Sequence, residues 1–245
     1  MMDILVCLKY CKCLSDKQTL SFSPDDLSAF AYALKHKVNG NKKNTITVIS
    51  MGPPTAETSL HDLYCYGADR VFLITDSNYA GSDTLATSYI LSNAILQIFE
   101  KKLPEVILCG SKTYDSSTGQ IGPGIAERLN VHYIGDCDHI DIDKLCLINN
   151  DYTRTELKKS VVVSINQKYE LPFPTLPLIQ SARNANVEII TNKQLNLPID
   201  LIGIQGSPTR VIELENTKQS INNNSEISGS IEEKIDVLKN VIRKT

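Results

Sequence analysis

The sequence contains no tryptophan and few aromatics, Phe and Tyr together making up 6% of it. A core of stacked rings is therefore excluded, and the interior has to rest on Ile, Leu, Val and Ala, as in α/β proteins with buried parallel strands. Positive charge is not in excess either. A formal net charge of -3 and an isoelectric point near 5.8 leave no basic stripe to neutralise a phosphate backbone, so nucleic acid is not an expected partner. Long apolar runs are missing as well: none approaches the ~18 to 20 residues that span a bilayer. The opening segment Met1-Met2-Asp3-Ile4-Leu5-Val6-Cys7-Leu8 lacks a basic stretch and a cleavage site. The expectation is a cytoplasmic protein without membrane insertion.

The seven cysteines are odd in number and scattered, several of them inside apolar runs, which argues against a disulfide framework. Cys7, Cys11 and Cys13 cluster, but their spacing matches no common zinc or iron-sulfur pattern and no second Cys or His pair completes it. No metal site is expected.

What is present is alternation. Asp3 to Leu8, Thr45 to Ser50, Val71 to Thr75 and Val106 to Cys109 are short apolar, β-branched runs that read as strands. Between them Pro24 to Lys37, Thr55 to Tyr66, Ser82 to Glu100 and Thr118 to Leu129 carry apolar residues at helical spacing. Repetition of this length predicts an α/β fold with a doubly wound, mainly parallel sheet and right-handed connections. After Val131 the pattern changes: Tyr133 to Ile142, Lys144 to Asn149 and Glu156 to Asn166 are strand-like runs separated by Asp-rich turns. They predict antiparallel hairpins extending the sheet at an edge, with Val161 to Ile165 the most buried member.

At 245 residues, one α/β domain over residues 1–213 with an appended arm accounts for the chain. The stretch 214–230, rich in Asn, Ser and Thr, reads as a flexible linker. Over 231–245, Ile231, Ile235, Leu238 and Ile242 form one stripe of an amphipathic C-terminal helix, suited to a partner or to the chain's own domain.

Doubly wound folds bind ligands beyond the carboxyl ends of their strands, which directs attention to Cys7-Leu8-Lys9, Ser50-Met51-Gly52 and Gly110-Ser111. Small residues there allow close backbone approach, and the following helix N-termini offer free N–H groups to a phosphate. The richest junction is Asp115-Ser116-Ser117-Thr118-Gly119-Gln120-Ile121-Gly122-Pro123-Gly124, where hydroxyls, an amide and three glycines can hold a phosphate and Asp115 can orient the loop. It is neither a Walker A loop nor a Rossmann fingerprint, and an ordinary capped helix start would use similar residues. A second junction, Gly81 to Ser88, places Thr84, Thr87 and Ser88 on one face behind a capping Asp83 or Ser82. That face serves either small-residue packing or a pyrophosphate.

Seven pieces, in order and at matching spacing over residues 3 to 213, resemble the beta subunits of electron transfer flavoproteins. They are Asp3 to Lys9, Ser50-Met51-Gly52-Pro53-Pro54, Tyr66-Gly67-Ala68-Asp69-Arg70-Val71, Leu108-Cys109-Gly110, Asp115 to Pro123, Pro174-Thr175-Leu176-Pro177 and Gly206-Ser207-Pro208-Thr209-Arg210-Val211. The resemblance implies an alpha-subunit partner carrying the electron-transferring FAD, and a second nucleotide held by this chain. In ordinary members that nucleotide is AMP. In electron-bifurcating members it is FAD, which takes a hydride from NADH and divides the electrons between two acceptors, one a low-potential carrier such as ferredoxin.

Ala80 to Ser88 looks like the bifurcating version, which favours FAD. By the same match Cys7, Lys9, Ser50, Gly110 and Asp115 contact the adenosine and phosphate end together with Ser117, Thr118, Gly119, Gln120 and Gly122. Asp83, Thr84 and Thr87 serve the flavin side. No side-chain general base is implied, since the flavin carries the electron chemistry. Leu171 to Ile179 resembles the loop with which beta subunits dock acyl-CoA dehydrogenases, Leu176 being its apolar anchor; on composition alone Leu176 fits the core of a Pro-bounded strand end equally well. Two stretches differ from the family pattern: Tyr10 to Ser23 is shorter than the usual loop, and Tyr169-Glu170-Leu171-Pro172 lacks the usual arginine. Two other readings stand beside this one, a non-enzymatic adenine-nucleotide-binding module related to universal stress proteins, and a divergent interaction subunit that has lost its nucleotide.

Overall fold

The structure of the chain, a computed structural model, describes residues 2–11, 20–39, 42–112, 118–137, 140–141, 146–148, 154–156, 160–166, 168–209, 231 and 235. The chain divides into two compact units, Met1–Arg210 and Val211–Thr245. In the second, Ile231 and Ile235 are helical and exposed; the linker expected at 214–230 and the rest of the expected C-terminal helix lie outside the described residues.

The first unit is built on strands whose central members are buried along most of their length. β1 (Asp3–Cys7), β4 (Thr45–Met51), β5 (Arg70–Ile74), β6 (Val106–Gly110), β7 (His132–Cys137), β11 (Val161–Ile165) and β12 (Glu188–Ile190) make one seven-stranded sheet. Its order is β12-β5-β4-β1-β6-β11-β7, and every pairing in it is parallel. Alternate residues of β1 enter opposite cores: Ile4 and Val6 join one, Leu5 and Cys7 the other. Burial on both faces is what makes such a strand a continuous hydrophobic run.

Helices cover both faces. α1 (Pro24–Lys35) contributes Ala29, Phe30, Tyr32 and Ala33 to the first core, joined by Leu60 of α2 (Glu57–His61), Leu63 of α3 (Leu63–Tyr66) and Ala182 of α6 (Leu176–Ala182). The second core takes Ile90, Leu91, Ala94 and Ile95 from α4 (Thr84–Ile98) and Ile125, Ala126 and Leu129 from α5 (Ile121–Leu129), with Leu195 of α7 (Asn192–Leu195) against its edge. β1 leads to β4 on one side, whereas β5 leads back across to β6 on the other. The order of strands therefore reverses between β1 and β6, and it is beyond the carboxyl ends at such a switch point that folds of this kind hold their ligands.

One expectation is corrected. The runs Tyr133 to Ile142, Lys144 to Asn149 and Glu156 to Asn166 do not extend the main sheet as antiparallel hairpins. β7 and β11, cut from those runs, are parallel members of the main sheet, and β11 inserts between β6 and β7. The antiparallel pairing in this region belongs to three short strands, β8 (Ile140–Asp141), β9 (Cys146–Ile148) and β10 (Arg154–Glu156), in a separate sheet of order β10-β9-β8. A final short pair, β2 (Val38–Asn39) and β3 (Lys42–Lys43), closes the turn before β4.

Candidate functional site

At the switch point the first turn of α1 lies against the ends of β1 and β6, and the starts of α4 and α5 lie against each other. Cys7, Leu8 and Ser50 are buried, and Met51 and Gly52 are half-buried. Burial raises the Cys7 thiol well above its ordinary pKa, with the neighbouring Cys109 and Asp26 adding to the effect, and burial with Asp26 raises Cys109 in the same direction. Both thiols stay protonated at neutral pH and act as small apolar groups. Ser50 Oγ is buried without a hydrogen-bond partner. A buried hydroxyl in that condition carries a desolvation cost unless something polar reaches it.

The first turn of α1 closes one side. Lys9 N–H donates to Asp26 Oδ2 at 2.7 Å and Gly110 N–H to Asp26 Oδ1 at 2.9 Å, so one carboxylate bridges the ends of β1 and β6. Asp25 accepts from Ser111 Oγ and from Lys112 N–H, both at 3.2 Å. Burial raises Asp26 to about 7; it outweighs the two N–H bonds, which pull the other way, while Asp25 adds repulsion and Lys9 attraction. Neither Asp25 nor Asp26 was among the residues singled out from the sequence. Their signal was present: Asp26, Ala29, Phe30 and Ala33 lie on one buried stripe of α1, and a carboxylate on such a stripe needs donors. The chain before α1 is also fastened, by Ser23 N–H donating to Lys9 O, Cys11 N–H donating to Ser21 O, and a bridge between Tyr10 and Phe22.

On the opposite side α4 and α5 begin next to each other. A Cβ on Gly124 would lie 2.7 Å from Ser88 Oγ, so the helices touch one turn in from each N-terminus. Gly122 has a similar task, since a Cβ there would lie 2.9 Å from Cys109 Sγ and from Tyr133 Cε2. Two of the three glycines read as phosphate-approach residues thus let α5 seat on α4 and the sheet. Gly119 is the conformational one, with φ 63° in the loop leading into α5. Thr118 and Gln120 are exposed at this helix start, and Gln120 occupies the N-cap position without a side-chain capping bond. Pro123 lies in the first turn, where its missing N–H costs no helical bond. Asp115, Ser116 and Ser117 lie outside the described residues.

At the start of α4, Asp83 Oδ1 accepts from the N–H groups of Leu85 and Ala86 at 3.0 Å each. Its Oδ2 accepts from Thr209 N–H at 3.2 Å and Thr209 Oγ1 at 2.8 Å. Burial opposes ionisation, yet the bonds from Ala86, Thr209 and Leu85 hold this carboxyl below its ordinary pKa. Ser82 and Ser207 complete a clasp: Gly203 N–H donates to Ser82 Oγ at 3.1 Å, and Asp83 N–H to Ser207 Oγ at 2.8 Å. Asp83 is engaged on both oxygens, while Thr84 and Thr87 stand half-buried beside it.

Leu176 is elsewhere, at the first position of α6, and is 75% exposed, with Phe173 94% exposed nearby. A core role for Leu176 is ruled out. The loop leading to it leaves α1, where Tyr169 N–H donates to Ser28 Oγ at 2.7 Å and the Tyr169 ring lies 4.8 Å from that of Tyr32.

A family model described as the electron transfer flavoprotein domain matches residues 13–195. The chain belongs to the electron transfer flavoprotein family. Its relatives place it among the beta subunits. The electron transfer flavoprotein subunit beta of Thermoanaerobacterium thermosaccharolyticum is 35% identical over 199 residues, covering 78% of this chain and 74% of that protein. The subunit of the same name from Clostridium acetobutylicum is 31% identical over 230 residues, 86% of each chain. Protein FixA of Azotobacter vinelandii is 35% identical over 202 residues, covering 77% of this chain and 70% of that protein. Among the described residues of this beta subunit no helix is long and apolar enough to cross a membrane, and no group of three or more His, Cys, Asp or Glu side chains could hold a metal ion.

Proposed function

We propose that this electron transfer flavoprotein beta subunit binds an adenine nucleotide beyond the carboxyl ends of β1 and β6 and passes electrons, with an alpha subunit and its FAD, between a dehydrogenase and an acceptor in the cytoplasm. The observation that carries the reading is the pair of adjoining helix N-termini, α4 and α5, on one face of the sheet at the switch point, with a buried, unpartnered Ser50 Oγ at the end of β4. The residues fit a nucleotide. Thr118, Gly119 and Gln120 at the start of α5, with Ser117 and Asp115 before them, would hold its phosphate, while Ser50, Cys7, Lys9, Gly110 and Ser111 line the adenosine end.

FAD is the preferred occupant. The hydroxyls of Thr84 and Thr87 lie at the start of α4, next to α5, where a second phosphate and the flavin would extend. AMP has no use for them. Bound FAD supplies hydride and electron transfer chemistry, and the protein's part is to hold the group and keep competing solvent away. In this form NADH is the proposed donor and ferredoxin one of two acceptors. A conventional AMP-holding subunit is the alternative, supported by Asp83: both its oxygens are taken up by Thr209 and the α4 cap, which leaves its charge nothing to offer a flavin. For docking, exposed Leu176, preceded by Pro174 and followed by Pro177, is the proposed anchor for an acyl-CoA dehydrogenase-like flavoenzyme.

The deciding experiment is co-expression with the alpha subunit, acid release of bound nucleotides and their quantification per heterodimer. Two FAD support the bifurcating form, and one FAD with one AMP supports the conventional one. One FAD and no second nucleotide would sink the nucleotide-binding role of this chain.

A further inference from the structure

Asp26 is a buried charged group to which the reading above gives no task. It is 4% exposed, and its two oxygens take the main-chain N–H groups of Lys9, just beyond β1, and Gly110, at the end of β6, the two strands between which the strand order reverses. Asp25 fastens Ser111 and Lys112 just beyond. The fit is close: a Cβ on Gly110 would lie 2.6 Å from Asp26 Oδ1 and 2.7 Å from Asp26 N, so the first turn of α1 rests directly on the end of β6. Two N–H groups at these strand ends have no ladder partner there, and a single carboxylate satisfies both.

We infer that Asp26 is a positioning residue of the nucleotide site, clamping the ends of β1 and β6 at the separation that receives the adenosine 5′-phosphate moiety shared by AMP and FAD. The inference rests on the nucleotide-binding reading. It also alters that reading in one respect, because the N–H groups of Lys9 and Gly110 are committed to Asp26 and only their other atoms face a ligand.

The clamp depends on charge. An ionised carboxylate accepts both N–H groups well, whereas a protonated one turns one oxygen into a hydroxyl and weakens one hold. The groups around Asp26 are Asp25 on its own helix, Lys9 beyond β1, and the thiols of Cys7 on β1 and Cys109 on β6; β11 presents Val161, Val163 and Ile165 to this core. Burial brings the carboxyl to about 7, so its charge changes in the neutral range.

The test uses the alpha–beta heterodimer and follows release of bound AMP or FAD from about pH 5.5 to about pH 8.5, a window that brackets the ionisation. In the unmodified complex release should slow roughly tenfold as pH rises through neutrality, the size expected for one charge-assisted hydrogen bond. Asp26→Asn, which turns an amide NH2 instead of an acceptor oxygen toward one of the two N–H groups, should release at the fast acid-limb rate at every pH. A folded Asp26→Asn complex with the unmodified rate and profile would overturn the inference. Should that variant not fold, Asp26→Glu takes its place: its longer side chain cannot hold both N–H groups at the same positions, and a folded Asp26→Glu complex that releases nucleotide at the unmodified rate overturns the inference equally. A Thr118→Val, Gln120→Leu double variant separates the two levels: loss of nucleotide there, with full retention in Asp26→Asn, removes the clamp and leaves the nucleotide site standing. An unmodified complex holding neither AMP nor FAD beyond the alpha-subunit flavin overturns both.

Discussion

Replacing Asp26 by Asn should change how the stability of the protein depends on pH, with a sign set by the direction of the carboxyl shift. Burial raises Asp26 from 3.8 to about 7. Between those values the folded protein holds a proton that the unfolded chain has released, so the unfolded state binds fewer protons and stability falls as pH rises. A difference of about three pKa units corresponds to about 4 kcal/mol, fully spent once pH exceeds the folded value. The side chain is buried, so little solvent screening reduces that figure. The assay is urea unfolding of nucleotide-depleted heterodimer, unmodified and Asp26→Asn, at several pH values from about 4 to about 8. The absolute offset between the two proteins mixes hydrogen-bond loss with charge removal, but its change with pH isolates the titration. The variant should gain on the unmodified protein by about 3 to 5 kcal/mol across that range. Parallel stability profiles would refute the reasoning and show that the two N–H bonds keep Asp26 an ordinary acid.

Three further outcomes are expected. Thr118→Val with Gln120→Leu should lower nucleotide content per heterodimer while leaving the circular dichroism spectrum unchanged and, with both proteins stripped of nucleotide, the unfolding midpoint as well, since both side chains are exposed; normal occupancy would remove the α5 start from phosphate binding. Leu176→Ala should weaken electron transfer to an acyl-CoA dehydrogenase-like partner by about tenfold in KM, the scale of a truncated anchor, with bound nucleotide unaltered; equal transfer rates would end its docking role. Gly124→Ala should destabilise the protein by about 1 to 3 kcal/mol in chemical denaturation, because its Cβ would meet Ser88 Oγ at 2.7 Å and force α4 and α5 apart; an unchanged midpoint would mean that the helices separate freely.

The central strands were legible because burial on both faces leaves an unbroken apolar run, and β1, β4, β5 and β6 occur within a residue or so of where such runs place them. The helix expected at Thr55 to Tyr66 is a 3-10 turn and two short helices meeting at Asp62. β12, three residues long, is too short to show a period, and its place beside β5 follows from a crossover that spacing does not record. The insertion of β11 between β6 and β7 is the same kind of fact. Tyr133 to Ile142 and Glu156 to Asn166 read as hairpin strands because Asp-rich turns and no helix separate them, and only long-range pairing decides that the buried parts of both run parallel to β6. At the site, the richness of the Thr118 to Gly124 segment was visible, but the sequence could not divide its glycines between ligand approach and helix packing. That division depends on Ser88, Cys109 and Tyr133, which are remote along the chain.

Asp26 shows why a folded chain would keep a destabilising residue at this position. At the ends of β1 and β6, Lys9 and Gly110 each present an N–H that their own sheet cannot satisfy. An apolar side chain would leave both unpaired, each at a cost of about 1 to 3 kcal/mol, and an amide would turn its NH2 toward one of them. A carboxylate pairs both but must be taken out of water, and that opposing demand raises its pKa. Stability and nucleotide holding therefore respond to pH in opposite directions: acid favours the fold through the protonated form, and base favours the clamp through the ionised one. A residue acting only on the fold would move both measurements the same way. Opposite slopes that vanish together in Asp26→Asn would identify the carboxylate as serving the site at the expense of the scaffold.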